Sequence, residues 1–238
     1  MYGVVLAAGE GTRLRPLTAE RPKGLVEVAG VPILTRCFET LRSLGVDELV
    51  VVVGYRGDDV VSYYGDRFGD LPITYATQAE RKGSAHALAI AGAHVNGDAV
   101  VMNGDNVCDA TLSAVVSRHA ETDADATLLV DRVPRDRASR TGVVEFDDDG
   151  GVVGLVEKPD DPPSTTVPRG FYAFSPRIFE ACRAVEPSPT REYELTAAID
   201  RLLAAGGRVE TVPLDGWCVN VNTAADRSRA ERRLGERS

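Results

Sequence analysis

The chain has 238 residues, 43% of them hydrophobic, which is enough to fill one substantial core and makes a single α/β unit the default expectation. Thirty-six acidic residues against 27 lysines and arginines give a formal charge of −9, which argues against a nucleic-acid coat or an anionic membrane surface as partner. Any phosphate site must be a local exception on an acidic surface, whose scarcity of lysine beside arginine suits salt adaptation.

Residues 2–7 form a short β-branched run ending in glycines, and 48–53 repeat the type as ELVVVV before Gly54. Such runs predict strands buried on both faces. Between them, 33–44 carry apolar residues at helical spacing and stop at Gly45, which completes a β-α-β unit. Strand 73–76, helix 84–93, strand 99–102, helix 110–120 and strand 126–130 continue the alternation and predict a mostly parallel sheet covered by helices. Beyond Pro134 the texture changes: RTGVVEFDDDGGVVGLVEKP reads as two short strands around an Asp-Gly turn, DDPPSTTVP as a proline-rich loop, and GFYAFSP as a further strand. Helices are expected at 177–184 and 193–205, short strands at 209–213 and 217–221, and a charged closing helix at 223–233. The expected fold class is α/β: a Rossmann-like, mixed and mostly parallel sheet flanked by helices, with a small β-rich lobe.

Cys37, Cys108, Cys182 and Cys218 lie far apart, with no CxxC pair and no histidine at metal-ligand spacing, so four reduced thiols and no zinc are expected. The N-terminus runs straight into VVLAAG without a basic segment or cleavage site, and no apolar stretch approaches the roughly 20 residues of a membrane span. A soluble cytoplasmic protein is expected.

Residues 6 to 16 read LAAGEGTRLRP. A strand that runs into glycines and then a helical turn exposes backbone N–H groups, a common way to hold an anion. The P-loop needs Gly-Lys-Ser/Thr, which is absent, and the dinucleotide fingerprint needs a third glycine where Leu14 stands. A tight turn with exposed arginines is the plain alternative; Arg13, Arg15 and Lys23, three cations near one loop of an acidic protein, weigh against it. A nicotinamide-dependent oxidoreductase shares the β-α-β opening, but Leu14 and Arg13 count against that as well.

The stretch LAAGEGTRLRPLTAERPKGLVEVAGVPIL closely resembles the N-terminal signature of the sugar-1-phosphate nucleotidyltransferases, the nucleotide-sugar pyrophosphorylases. The resemblance implies that Leu6, Ala7, Ala8, Gly9, Gly11 and Thr12 wrap a nucleoside triphosphate, that Arg13 grips its β/γ phosphates, and that Lys23 touches phosphate. In QAERKGSAHAL it implies that Gln78 and Gly83 read a pyrimidine edge, with Ser84 opening a helix beside it. In VVMNGDNV it places Asn103 against substrate and Asp105 on Mg²⁺, the hard cation that takes one or two protein oxygens plus phosphate and water.

For the second half, it implies that Gly142 and Glu157 face the sugar, that Lys158 of the EKP motif meets the sugar phosphate, and that Gly170, Tyr172 and Glu192 complete the sugar pocket. Two departures stand out. Most relatives carry Arg-Gly-Glu where this chain has Thr190-Arg191-Glu192, so Arg191 supplies the expected cation from a shifted position or that contact is missing. In WCVNVNTAAD, Asn220 stands where the second metal-binding aspartate is expected, with Asn222 the alternative ligand if the register slips.

The resemblance spans nearly the whole chain and divides it into a mainly nucleotide-binding half, 1–133, and a mainly sugar-phosphate-binding half, 134–238, in one nucleotidyltransferase domain without a C-terminal β-helix. It is strongest to archaeal glucose-1-phosphate uridylyl- or thymidylyltransferases. The implied reaction joins UTP or dTTP with a sugar 1-phosphate, glucose 1-phosphate foremost, to give a nucleotide sugar and pyrophosphate, with Arg13, Lys23 and Lys158 as the catalytic cations. A nucleotide-sugar-binding regulatory protein on the same fold is the alternative. Relatives are often dimers or tetramers, so a homo-oligomer is open.

Overall fold

Leu49 to Val53 offer water no polar face, and all five lie buried inside an eight-stranded sheet. The computed structural model describes residues 1–236. In chain order the first half contains β1 (Tyr2–Ala7), β2 (Glu27–Val28), β3 (Val31–Pro32), α1 (Ile33–Ser43), β4 (Glu48–Val53), α2 (Gly57–Tyr64), β5 (Arg67–Phe68), β6 (Leu71–Thr77), α3 (Ser84–Ala91), β7 (Ala99–Asn103), β8 (Asn106–Ala110), α4 (Ser113–Thr122) and β9 (Ala126–Arg132). The second half contains α5 (Arg135–Ala138), β10 (Gly142–Phe146), β11 (Val152–Glu157), β12 (Thr166–Phe174), α6 (Arg177–Ala184), α7 (Leu195–Ala204), β13 (Val209–Pro213), β14 (Gly216–Asn220) and α8 (Ala224–Gly235).

The central sheet runs β13-β9-β12-β7-β1-β4-β6-β5. β1 pairs in parallel with β4 and β7, β4 with β6, and β9 with β13, while β12 enters antiparallel between β7 and β9. The sheet is therefore mixed and mostly parallel, with helices on both faces. Side chains alternate as the pleat requires: Val4, Val50, Val52 and Val101 join one core, and Val5, Val51, Val53 and Val100 the other. On the second face α1 buries Ile33, Leu34, Cys37, Phe38 and Leu41, and the Phe38 ring meets Tyr64 and Phe68 edge-on at 4.8 and 5.3 Å. Burying one such ring is worth roughly 1.5–3 kcal/mol.

Three local differences from the sequence reading have physical causes. α2 has no counterpart there, because GDDVVSYY buries just Val60 and leaves almost no apolar stripe. The helix expected at 110–120 starts at Ser113, since Ala110 is still paired with Gly216 in the β8–β14 ribbon. The end of the proline-rich loop is already strand, as Thr166 pairs with Arg132 of β9.

The expectation of four reduced thiols is corrected at one pair. Antiparallel β8 and β14 set Cys108 directly opposite Cys218, their Cα atoms are 4.0 Å apart, and the two form a disulfide across 110 residues of sequence. Sequence spacing carries no sign of a pairing made by two distant strands. Cys37 and Cys182 are free and buried. No helix among the described residues is long and apolar enough to cross a membrane.

The small β-rich lobe is the β10–β11 hairpin, in which Gly142 faces Glu157. Its turn is closed by Asp147, whose carboxylate accepts from the Asp149 and Gly151 N–H groups at 3.1 and 2.6 Å. α7 packs against β11 and so brings the 192–196 segment toward that lobe.

Candidate active site

In an open α/β sheet, ligands gather beyond the C-terminal ends of the parallel strands, where loops diverge. Here β1 ends at Ala7, β6 at Thr77 and β7 at Asn103. Two adjoining cavities lie there, of about 410 and 440 Å³, and Ser84 and Asn103 line both.

The first cavity collects most of the expected nucleotide residues. Leu6, Ala7, Ala8 and Gly9 form one wall, Gln78 and Gly83 another, and Lys23, Asp105 and Glu192 also line it. Gly11 and Thr12 line neither cavity; the Gly11 carbonyl accepts from the Thr18 hydroxyl at 2.7 Å and the Leu14 N–H at 2.8 Å, which closes the loop behind.

Gln78 is 4% exposed, and its amide orientation follows from its partners. The Gly83 carbonyl, 3.0 Å away, can only accept, so the Gln78 nitrogen faces it and also donates to His86 Nδ1 at 2.9 Å. Burial, with the Lys82 charge, holds the His86 pKa below the usual histidine value, in keeping with a neutral acceptor ring. Among the described residues none donates to the Gln78 carbonyl oxygen. His86 gives no signal in the sequence beyond its place in the helix that follows Gln78.

Gly83 is needed for space as well as conformation. Its φ is +97°, and a Cβ there would stand 2.5 Å from the Tyr193 carbonyl oxygen. That close approach lets the Ala85 N–H donate to Tyr193 O at 2.9 Å and the Tyr193 N–H to Lys82 O at 2.7 Å, while Ser84 Oγ accepts from the Leu195 N–H at 3.1 Å. The start of α3 thus fastens the 193–195 segment to the nucleotide side.

The second cavity collects the sugar-side residues Gly142, Glu157, Gly170 and Tyr172, together with Arg13, Asn220 and Asn222. Glu157 is oriented by the Thr196 hydroxyl, which donates to it at 3.1 Å. Gly170 (φ +71°) lets β12 approach Asn103, where a Cβ would come within 2.6 Å of Nδ2.

Lys158 and Arg191 line neither cavity. Lys158 Nζ lies 3.3 Å from Glu157 Oε1; burial alone would lower its pKa, but Glu157, Glu194 and Glu192 outweigh that and hold it above the usual lysine value. Arg191 is exposed in a turn with φ 64°. Instead Arg137, Arg140 and Arg169 line this cavity, and no motif in the sequence singles out any of them. Glu194 is likewise unmarked in the sequence; its Oε1 is buried with no hydrogen-bond partner among the described residues, and burial first, then the Glu157 charge, raise its pKa to about 7.

Between the cavities lies a polar knot. Lys23 Nζ sits 2.8 Å from Asp105 Oδ2 and 2.9 Å from Asn222 Oδ1, and Arg13 donates to the same Asn222 oxygen at 3.2 Å. Asn106 is fully buried, and its nitrogen donates to the Arg169 and Gly170 carbonyls at 2.8 and 3.0 Å. Its oxygen must then be the acceptor for Asn220 Nδ2 at 2.6 Å, so Asn220 turns its nitrogen, 3.4 Å from Asp105 Oδ1, toward that carboxylate. Among the described residues no three His, Cys, Asp or Glu side chains converge as a metal cluster. The donor set fits magnesium through the single Asp105 carboxylate, since that ion takes one or two protein oxygens and completes its shell with phosphate and water. Asn220 and Asn222, read from the resemblance as ligands, are here a donor to Asp105 and an acceptor for two cations.

Residues 2–219 match the nucleotidyl transferase family. The chain is 49% identical over 236 residues to the UTP–glucose-1-phosphate uridylyltransferase AglF of Haloferax volcanii, covering 99% of this chain and 97% of that protein. It is 37% identical over 235 residues to a glucose-1-phosphate thymidylyltransferase of Streptomyces griseus, covering 98% of this chain and 65% of that one. Among solved structures, a UDP-glucose pyrophosphorylase complexed with UDP-glucose superposes with a TM-score of 0.89 at 21% identity, covering 100% and 99% of the two chains, a likeness of fold.

Proposed function

The chain belongs to the nucleotidyl transferase family, and from that membership we propose that it joins UTP or dTTP with glucose 1-phosphate to give a nucleotide-glucose and pyrophosphate. UTP is the substrate named for the relative at 49% identity. The observation that carries the reading is the pair of adjoining cavities, one lined by the glycine loop and Gln78, the other by Glu157 and Tyr172, with Ser84 and Asn103 common to both.

In this reaction a sugar-phosphate oxygen bonds to the α-phosphorus of the triphosphate while the bond from that phosphorus to the β-phosphate bridging oxygen breaks, and pyrophosphate leaves. The nucleophile is already an anion, so no general base is required. Two polyanions must be brought together, and catalysis is positioning and charge neutralisation. Glycine-loop amides and Arg13 hold the triphosphate, Gln78 offers its carbonyl oxygen to the imide N–H of uracil or thymine, and Gly83 lets the base lie against backbone. Lys23, which already bridges Asp105 and Asn222, keeps positive charge between the two substrates. Glu157, held by Thr196, accepts from sugar hydroxyls, and Lys158 beside it steadies that carboxylate and adds charge near the sugar phosphate. A magnesium ion on Asp105 would supply further positive charge against the phosphates.

A pyrophosphate-release assay with each nucleoside triphosphate and glucose 1-phosphate tests this. Release with UTP, dTTP or both, and little with purine nucleotides, is the expected outcome. Absence of release with every pair would favour a binding protein on the same fold.

A further inference from the structure

His86 lines neither cavity, yet it governs what the nucleotide cavity offers a base. It sits in the first turn of α3 between the buried Ala85 and Ala87, and its ring centre lies 6.0 Å from that of Tyr193. Its Nδ1 is 2.9 Å from Gln78 Nε2. A primary amide has two N–H donors and one carbonyl acceptor. On Gln78 one donor goes to the Gly83 carbonyl at 3.0 Å and the other to His86 Nδ1, so both are spent within the protein. Gln78 therefore meets the cavity it lines as an acceptor alone.

This arrangement is braced from several sides. The Gln78 backbone N–H donates to Val53 O at the end of β4, at 2.8 Å. Both amide acceptors belong to the 83–86 stretch, which Tyr193 clamps by donating to Lys82 O and accepting from the Ala85 N–H. To accept at Nδ1, His86 must be neutral and carry its proton on Nε2. Burial and the Lys82 charge favour that state, and Glu80, which opposes it, is paired with Lys82 at 3.0 Å.

The Gly83 carbonyl by itself would orient the amide but occupy a single N–H, leaving the second to donate to a base. Uracil and thymine present a donor at N3, whereas cytosine presents an acceptor there. An amide confined to accepting pairs with the first and sets lone pair against lone pair with the second, and such a mismatch is strongly rejected. On the nucleotidyltransferase reading above, we propose that His86 is a positioning residue that sets the preference for uracil or thymine over cytosine by consuming the second Gln78 donor.

The test removes and then restores the Nδ1 acceptor. His86→Ala leaves space and His86→Leu fills it, and both delete the acceptor. His86→Asn returns one, because its side-chain oxygen stands as many bonds from Cβ as Nδ1 does. Circular dichroism and Tm verify folding. In pyrophosphate-release assays the Ala and Leu variants should raise KM for UTP about threefold to tenfold, the scale of one hydrogen bond. The ratio of kcat/KM for UTP to that for CTP should fall at least about threefold, on the same scale. The kcat with UTP and the KM for glucose 1-phosphate should stay within about twofold, since the lost contact serves base binding alone. His86→Asn should recover most of the ratio. An unchanged ratio in the Ala and Leu variants, a loss that Asn does not recover, or an equal rise in both KM values overturns the assignment. If the wild type releases no pyrophosphate with any pair, the function reading falls. Calorimetric titration with UTP and CTP then judges His86 separately: a preference for UTP that Leu loses and Asn keeps supports it, and no preference, or one that Leu leaves intact, overturns it.

Discussion

The two cavities share Ser84 and Asn103 but are built in different ways. The nucleotide side rests on the ends of parallel strands: β1 delivers Leu6 and Ala7, β6 leads into Gln78, and β7 ends at Asn103. Much of its wall is backbone and small side chains, with Lys23, Asp105 and Glu192 beside them, and the buried Gln78 is locked by neighbours within eight residues. The sugar side is assembled from segments far apart: the α5 end, the β10–β11 hairpin, β12, the 194–199 stretch and β14. Its character comes from charged side chains held by long-range packing. Rigid backbone suits a constant nucleotide, whereas side chains from many elements can be exchanged to suit different sugars.

The difference can be broken at the join. Lys23→Ala removes the cation that links Asp105 to Asn222, leaves a half-buried carboxylate unpaired, and strips charge from between the substrates. Turnover should fall by about 100-fold or more, the scale for one preorganised charge-stabilising group. A kcat within about threefold of wild type in rapid-quench or steady-state assays would remove Lys23 from the chemistry.

Gly83→Ala attacks the seam where the nucleotide side fastens the 193–195 segment. A Cβ there meets Tyr193 backbone and forces a left-handed backbone on alanine. Strain of this kind costs about 1–3 kcal/mol. Thermal unfolding should show a lower Tm, and KM values for both substrates should rise together, since one seam serves both cavities. A rise confined to UTP would show that the sugar side is held independently.

The smallest effect sharpens the contrast in charge. Glu194 has a folded-state pKa of about 7, raised by burial and by Glu157. The native state therefore holds a proton that the unfolded chain releases near the ordinary glutamate range, and this group's contribution to stability declines as pH rises from about 4.5 toward 7. Glu194→Gln should thus gain stability relative to wild type on going from pH 5 to pH 8. Equal Tm differences at the two pH values would show that the carboxyl is not held protonated.

Much of the first half of the chain is legible in the amino-acid sequence. β1 and β4 match the strands read from their valine runs, because strands covered on both faces must be apolar at nearly every position. The glycine loop and Gln78 can be placed because their motif is contiguous and its geometry local. The second half is less open to reading. Arg137 and Arg140 look like any surface arginines, and their distinction, the lack of an acidic partner beside a cavity, exists solely in three dimensions. Glu194 is masked by Glu192, two residues earlier, and the β8–β14 ribbon with its disulfide depends on strands that meet across 110 residues.

Hydrophobic periodicity and contiguous motifs, both local properties of the chain, therefore determined the sheet-and-helix rhythm and the family. Tertiary structure alone decided which cations face the sugar cavity, which atom of Asn220 meets Asp105, and which cysteines pair. The physical reason is the same in each case. A charge, an amide orientation or a thiol is defined by what stands opposite it, and packing brings that partner from a distant part of the chain.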